Sequence, residues 1–195
     1  GEHLGDYNRA CEMIRVAKYA GCDAVKLQCF EPERLARARG GGVVRTGPWK
    51  GQRLVDMYRL TNTPPSWFPL LQTLAEREGI TLFASVFEPV DGEWLEGFPH
   101  SVPAYKVSSF ESGRTDLIKR AAKTGKPVIV STGLANREEI GKAVTSMKPN
   151  RRAILHCVSR YPCPVDYANL SRIGELRRLQ VPIGYSDHTT GIATA

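Results

Sequence analysis

The sequence has no run of about 18 uninterrupted apolar residues, the length that a membrane-spanning helix needs. No basic segment followed by an apolar one stands at its start, as a secretory leader would require. The lack of both patterns predicts a cytoplasmic protein with no membrane partner. Its 195 residues, 42% of them hydrophobic, are enough for one substantial core, so we expect a single domain over residues 1–195.

Cysteine is scarce, and its spacing fits neither a disulfide framework nor a zinc site. There are five cysteines, an odd number, and the spacing of Cys157 and Cys163 matches no zinc knuckle. His156 and Cys157 are adjacent on a predicted strand, so their side chains point to opposite faces and cannot easily act as one catalytic pair. We therefore expect reduced thiols without a nucleophilic role.

Aromatic residues are few around the basic clusters of the chain, although the formal net charge is +7. A positive excess predicts an anionic partner, but without interleaved aromatics a stacking platform for single-stranded nucleic acid is poorly supported. Solvated loops and helix ends are the favoured interpretation, and a non-catalytic anion-binding or nucleic-acid-binding module stays as an alternative. The clusters contain Arg34, Arg37, Arg39, Arg45, Arg151, Arg152, Arg177 and Arg178.

Short apolar runs rich in β-branched residues recur along the chain, and a loop and an amphipathic segment follow each of them. This alternation is typical of consecutive βα units with a parallel sheet. Helix starts are predicted at Asp6, Ser66, Thr115 and Asn136, where capping side chains precede apolar periodicity. The predicted strands cover residues 23–30, 80–87, 104–108, 127–132, 153–158 and 182–186.

Polar residues cluster where the predicted strands end. In an eightfold (β/α) barrel these ends converge on one face, where such enzymes place their active sites. We therefore predict a TIM (β/α)8 barrel, present without its first and last strands, since six strands are visible. The polar residues are Lys26, Gln28, Ser85, Lys106, Ser108, Ser109, Ser131, Thr132, His156, Ser159, Ser186, Asp187 and His188.

The residue types at these ends suit a compact dianion and a metal ion. Lys26 and Lys106 supply positive charge, and neighbouring hydroxyls supply directional hydrogen bonds. His188, with a carboxylate beside it, is a candidate ligand of a divalent metal. His156 lies inside an apolar run and is assigned a structural role, and Glu111 is the best carboxylate for general acid or base work. The hydroxyls are those of Ser85, Ser109, Ser131 and Ser186.

Five motifs follow one another along the chain: VKLQ at residues 25–28, PAYKVSSFE at 103–111, GKPVIVSTG at 125–133, HCVSRYP at 156–162 and GYSDHT at 184–189. In this order they resemble the N-acetylneuraminate (sialic acid) synthase family, which includes legionaminate and pseudaminate synthase-like enzymes. The resemblance covers nearly the whole chain.

The resemblance implies a transferase that condenses phosphoenolpyruvate with an N-acetylated amino sugar, N-acetylmannosamine or a related hexosamine. It implies that manganese, or alternatively magnesium, polarises the open-chain aldehyde of the sugar and that C3 of phosphoenolpyruvate attacks this aldehyde. Water then adds at C2, and phosphate leaves. The implied catalytic residues are Lys26, Lys106 and Glu111, with Glu111 handling the proton of the water. The implied phosphate contacts are Ser85, Ser109, Ser131 and Ser186, the sugar-side contacts are Gln28, Ser159 and Tyr161, and the metal ligand is His188.

The sequence departs from the family at Leu4, Phe110 and Ser159, which bears on the acceptor sugar more than on phosphoenolpyruvate. The family's second metal histidine and its antifreeze-like C-terminal domain are expected outside these residues, so we expect the chain by itself to be inactive. The resemblance also implies that the full-length protein is a homodimer. A related synthase that joins phosphoenolpyruvate to an aldose phosphate is the alternative enzyme. The sequence leaves the acceptor sugar and the product open.

Overall fold

The structure is a computed structural model that describes residues 2–47, 49–87 and 102–194. The chain divides into two compact units, Gly1–Pro103 and Ala104–Ala195, and each unit is described by itself. All six predicted strands are present, and each end lies within two residues of the predicted bound. No helix in the described ranges is both long enough and apolar enough to cross a membrane.

The first unit contains two parallel strands flanked by helices. Strand β1 (Ala24–Gln28) pairs in parallel with β2 (Thr81–Val86), with Gln28 opposite Ser85 at their carboxyl ends. Helix α1 (Tyr7–Tyr19) precedes β1, and α4 (Phe68–Glu78) precedes β2 and packs against α1. The chain therefore follows the predicted βα alternation in this unit.

Two helices of the first unit were not predicted. After β1 the chain forms α2 (Pro32–Ala38), an antiparallel bridge between Val43 and Arg53, and α3 (Leu54–Thr61). No residue of α3 is fully buried. Its apolar residues Leu54, Met57 and Tyr58 do stand at helical spacing, so the prediction missed a pattern that the sequence contains. Part of the basic sequence that we interpreted as loop is therefore helical.

The second unit is a four-stranded parallel sheet covered by helices. The order in the sheet is β3 (Tyr105–Val107), β4 (Val128–Ser131), β5 (Arg152–Cys157) and β6 (Ile183–Ser186). Helices α5 (Thr115–Lys123), α6 (Arg137–Ser146) and α7 (Ser171–Leu176) connect them, with short 3-10 segments at Ser109–Glu111, Val165–Tyr167 and Arg177–Leu179.

Two of the predicted helix caps are confirmed. The Asp6 side chain accepts a hydrogen bond from the backbone N–H of Arg9, and Asn136 and Glu139 form a reciprocal capping box. The prediction at Ser66 was wrong, because a 3-10 turn at Pro65–Trp67 precedes α4, which begins at Phe68. Arg114 precedes α5 without a side-chain cap, and Thr115 is the first helical residue.

One face of the second sheet forms a core against the helices, and the other carries polar groups. Tyr105, Val107, Val128 and Val130 are buried, as are the α5 residues that pack beside β4. Burying a side chain of this size contributes about 1.5–3 kcal/mol to folding. Because side chains alternate along a strand, this packing directs the intervening residues, Lys106 among them, to the opposite face.

Candidate active site

The first unit brings Lys26 and Ser85 together at neighbouring strands. The Lys26 ammonium donates to Ser85 Oγ at 3.3 Å, and the buried Ser85 hydroxyl donates to the Leu27 carbonyl at 3.4 Å. Solvent reaches part of the Lys26 side chain, but the surrounding protein removes enough water to lower the pKa of its ammonium. Gln28 is half-buried at the end of the same strand. These three predicted site residues therefore share one edge of the unit.

A buried polar network that the sequence did not reveal fixes this strand end. The Thr63 N–H donates to the Gln28 carbonyl at 2.8 Å, and the Phe30 N–H donates to Asn62 Oδ1 at 3.0 Å. The ring of His3 is 3.1 Å from the Thr63 hydroxyl through Nε2. All of these polar side chains are buried, and their partners are far away along the chain, so no local motif could have indicated the network.

In the second unit, Lys106 and Ser131 form the shortest polar contact among the predicted residues. Lys106 Nζ donates to Ser131 Oγ at 2.6 Å and to the Val107 carbonyl at 3.0 Å, and both Lys106 and Ser131 are buried. An ammonium in such a place requires hydrogen bonds to compensate for the water it has lost. The contact thus joins the ends of β3 and β4.

Ser109 and Ser159 are joined as well. The Ser159 hydroxyl donates to Ser109 Oγ at 2.7 Å, which links the 3-10 turn after β3 to the segment after β5. Gly133 makes room for this contact, since a Cβ at Gly133 would lie 2.3 Å from Ser159 Oγ and 3.1 Å from Cys157 Sγ. Gly133 belongs to one of the sequence motifs, but its steric role depends on a neighbour that only the fold supplies.

Glu111 is buried at 2% exposure, whereas an isolated glutamate in a loop is usually exposed. It closes the 3-10 turn that begins at Ser109, and its Oε2 is 3.9 Å from Arg114 Nη1. Burial by itself disfavours a charged carboxylate, whereas a nearby guanidinium favours it. The catalytic role of Glu111 stays a prediction.

His188 follows β6, and its hydrogen bonds determine its tautomer. Nδ1 is 3.0 Å from the Val158 carbonyl, and because a carbonyl can only accept, Nδ1 carries the hydrogen. In the neutral ring Nε2 then carries a free lone pair. The carboxylate of Asp187, the neighbour of His188 in the sequence, bonds to other groups. It accepts from the N–H and hydroxyl of Thr189, which with Thr194 lowers the pKa of Asp187 to about 2.

The Cys157 thiol lies beside His188, with Sγ 3.8 Å from Nδ1. Burial by itself would raise the pKa of Cys157, but contacts with His188 and the neighbouring serine hydroxyls lower it overall. The contact with Cys157 raises the pKa of His188 despite partial burial of the ring. The sequence did not predict this contact, because the two residues are 31 positions apart.

His156 has the structural role that we predicted. It is buried on the helix side of β5, where Nε2 donates to the Ala168 carbonyl at 2.7 Å and the ring stacks on Tyr185 at 5.6 Å between centroids. Cys157 points to the other face, toward Ser159 and His188. The prediction that His156 and Cys157 cannot act together is therefore confirmed.

Tyr161 and Ser186 complete the predicted set. The Tyr161 ring is 4.2 Å from the His188 ring between centroids, and about half of the Tyr161 residue is exposed. Ser186 is half-buried at the end of β6, opposite Cys157 in the sheet register. Contacts thus run from Ser109 through Ser159, Cys157 and His188 to Tyr161, all at the carboxyl ends of strands.

The surroundings of His188 suit a ligand of a divalent metal. A ligating histidine commonly donates its second ring N–H to a carbonyl, which is the arrangement of His188 and Val158. His188 therefore fits as one ligand through Nε2. Within residues 2–47, 49–87 and 102–194, no group of three or more His, Cys, Asp or Glu side chains could hold a metal ion. A complete metal site needs donors in addition to these.

Comparisons with known proteins show the family of the chain. Residues 13–195 match the model of the NeuB family. The chain is 34% identical over 195 residues to the pseudaminic acid synthase of Campylobacter jejuni, covering 97% of this chain and 56% of that protein. It is 32% identical over 200 residues to the N-acetylneuraminate-9-phosphate synthase of Homo sapiens, covering 98% and 54%.

A solved structure is similar over the same length. The N-acetylneuraminic acid (sialic acid) synthetase from Leptospira borgpetersenii, solved with citrate, has a TM-score of 0.83 and 32% sequence identity, with 98% of this chain and 64% of that chain covered.

These similarities define a parallel α/β protein with part of a TIM-barrel-like fold. The chain belongs to the NeuB family. It spans about half the length of the relatives it matches. The predicted family and the parallel α/β class are confirmed, whereas the eight-stranded closure and the role of each site residue stay predictions.

Proposed function

We propose that the full-length protein condenses phosphoenolpyruvate with an N-acetylated amino sugar, N-acetylmannosamine or a related hexosamine, to give a nonulosonic acid and phosphate. The buried Lys106–Ser131 contact of 2.6 Å carries this proposal, because it holds a cation and a hydroxyl together at a strand end. Membership of the NeuB family and relatives named as pseudaminic acid and N-acetylneuraminate-9-phosphate synthases support it.

Phosphoenolpyruvate has two anionic groups close together, and Lys26 and Lys106 are the cations that the family resemblance assigns to it. Lys26 and Lys106 provide positive charge, and Ser85 and Ser131 are already hydrogen-bonded to them. Ser109 and Ser186 are the other hydroxyls assigned to the phosphate. Charge-assisted hydrogen bonds of this kind are the stronger ones in proteins, and they fix orientation as well as affinity.

The residues assigned to the acceptor sugar are Gln28, Ser159 and Tyr161. His188 would hold a divalent metal, most suitably manganese, through Nε2, and when bound this ion would polarise the sugar aldehyde as a Lewis acid. Glu111, whose carboxylate form Arg114 stabilises, would accept the proton of the water that adds at C2. Formation of the bond between C3 and the aldehyde carbon precedes the loss of phosphate from C2.

A panel of acceptors tests the sugar assignment. The full-length protein is incubated with manganese, phosphoenolpyruvate and one sugar at a time, and products are identified by mass spectrometry. Turnover with N-acetylated hexosamines and none with unacetylated aldose phosphates supports the proposal. The reverse pattern identifies the alternative aldose-phosphate synthase.

A further inference from the structure

Positive charge is concentrated in residues 31–62, which lie between β1 and the turn before α4, and which we call the basic insert. It holds seven basic and three acidic residues, a net charge of +4 out of the chain's +7. The basic residues are Arg34, Arg37, Arg39, Arg45, Lys50, Arg53 and Arg59, and the acidic ones are Glu31, Glu33 and Asp56. The proposed function assigns no role to these basic residues.

Ion pairs inside the basic insert neutralise only part of the charge. Arg59 is 2.7 Å from Glu33 and 3.2 Å from Asp56, and Arg53 is 3.2 Å from Asp56. These pairs occupy two of the three acidic residues.

Five basic residues lie outside these pairs, and of these Arg34 and Arg39 have other interactions. Arg37, Arg45 and Lys50 are exposed, and no ion pair joins them to another residue in the described part of the chain. Their charge is therefore available to a mobile anion.

Both ends of the basic insert are fixed beside the strand end that carries Lys26 and Gln28. The N–H of Phe30, just before the insert, donates to Asn62 Oδ1 at 3.0 Å, and the N–H of Thr63, just after it, donates to the Gln28 carbonyl at 2.8 Å. The rings of Phe30 and Tyr58 meet edge to face at 5.4 Å. The charged segment is thus anchored at the carboxyl end of β1.

The hairpin of the insert holds two of the three cations. Val44 accepts from Gly51 and donates to Gln52, both at 2.9 Å, and Val43 bridges Arg53. Arg45 and Lys50 lie between these pairings. Exposed charges act on a mobile anion over roughly one Debye length, about 10 Å at 0.1 M salt. A fixed group of cations raises the local concentration of an anion without contacting it.

We propose that the basic insert attracts phosphoenolpyruvate to the carboxyl end of β1 through long-range electrostatics. The inference rests on the proposed function, since it takes phosphoenolpyruvate as the substrate bound at Lys26. A small trianionic metabolite suits exposed and dispersed cations. Nucleic acid fits less well, because the exposed cations of the insert are not interleaved with exposed aromatic rings.

The test is a charge series at Arg45 and Lys50 in the full-length protein. Arg45→Gln with Lys50→Gln removes two charges, and Arg45→Glu with Lys50→Glu changes four. At about 0.02 M salt we expect the KM for phosphoenolpyruvate to rise about 2–3-fold in the first pair and about 5–10-fold in the second. At about 0.5 M salt the differences should fall below about 2-fold, with kcat unchanged throughout.

The matched control is Lys119→Glu with Lys123→Glu, which changes the net charge by the same amount as Arg45→Glu with Lys50→Glu. These exposed residues lie on α5, whose end precedes the amino end of β4. The control should leave the KM within about 2-fold of wild type at both salt concentrations. A rise in the control equal to that in the insert pair would mean that only net charge matters, and would overturn the inference.

Further outcomes separate the inference from the function on which it rests. A raised KM that persists at high salt would indicate direct contact and overturn long-range attraction. Loss of oligonucleotide binding in the insert pair, with the KM unchanged, would assign the surface to nucleic acid. If wild type is active but the charge series has no effect, only the inference fails. If wild type neither releases phosphate nor binds phosphoenolpyruvate by calorimetry, the proposed function fails as well.

Discussion

Lys106 Nζ lies 2.6 Å from Ser131 Oγ, and this contact joins two neighbouring parallel strands at their carboxyl ends. Both residues are buried, so the hydroxyl helps to compensate for the water that the ammonium has lost. A buried cation held in this way is already oriented before an anion arrives. The contact is therefore the part of the site on which the account of phosphoenolpyruvate binding depends most.

Replacing Ser131→Ala should weaken the binding of phosphoenolpyruvate. A hydrogen bond to a charged group contributes about 1.5–3 kcal/mol, which corresponds to an increase of roughly 10–100-fold in the KM for phosphoenolpyruvate. Steady-state kinetics of the full-length protein measure this change. Ser171→Ala, at an exposed serine that opens α7, is the matched control and should leave the KM unchanged. An unchanged KM in Ser131→Ala would contradict the phosphate-binding role.

Replacing Gly133→Ala should destabilise the protein and disturb the Ser109–Ser159 contact. The new Cβ would be 2.3 Å from Ser159 Oγ and 3.1 Å from the Cys157 carbonyl oxygen, so Ser159 must move. Overpacking of this kind costs about 1–3 kcal/mol of unfolding free energy, measurable by chemical denaturation.

Two further variants control the Gly133 experiment. Gly141→Ala lies in α6 with no atom within 4 Å of the new Cβ, so it should stabilise the protein by about 0.5–1 kcal/mol. Adding Ser159→Ala to Gly133→Ala removes the closest clash and should restore part of the lost stability. Equal stability of Gly133→Ala and wild type would show that the loop adapts without cost.

Acid should destabilise the protein through His3. Burial, together with nearby positive charge including that of Arg9, lowers the pKa of His3 below 6.5, and Nδ1 accepts from the Gly5 N–H. The folded state therefore holds a neutral ring, while the unfolded state takes up a proton near pH 6.5. This stability is present above pH 6.5 and is lost as the pH falls below it toward the lowered pKa.

Thermal melting between pH 7.5 and 5 tests the role of His3. The Tm of wild type should fall more steeply over this range than that of His3→Gln, whose amide does not titrate in it. His3→Gln should also be less stable at pH 7.5, because it cannot reproduce both ring contacts, to Thr63 and to Gly5. Parallel pH profiles for the two proteins would rule out a contribution from His3.

The thiols should differ sharply in their reactivity toward an alkylating reagent. Cys22 is exposed, whereas Cys29 is fully buried and burial raises the pKa of its thiol to about 12. Since the thiolate is the reactive form, Cys22 should be labelled by iodoacetamide at pH 8 and Cys29 only after denaturation. Peptide mass spectrometry distinguishes the two. Early labelling of Cys29 in the folded protein would contradict its placement.

The strands and their polar ends could be predicted from the sequence because both depend on local patterns. Apolar runs located all six strands, and the residue types at the carboxyl ends of β3 and β4 indicated Lys106 and Ser131. The partner of His188 could not be predicted, since the Val158 carbonyl reaches it only through the pairing of β5 with β6. The same limit applies to the contact of Gly133 with Ser159, whereas α3 was missed although its apolar residues stand at helical spacing.

The most direct test of the central claim is phosphate release by the full-length protein with manganese. We predict release only when phosphoenolpyruvate and an N-acetylated hexosamine are both present, and at least a 100-fold loss, roughly 3 kcal/mol, in Lys106→Met. The product should contain the carbon atoms of both substrates. Phosphate release without any sugar, or no release with any N-acetylated hexosamine, would contradict the account.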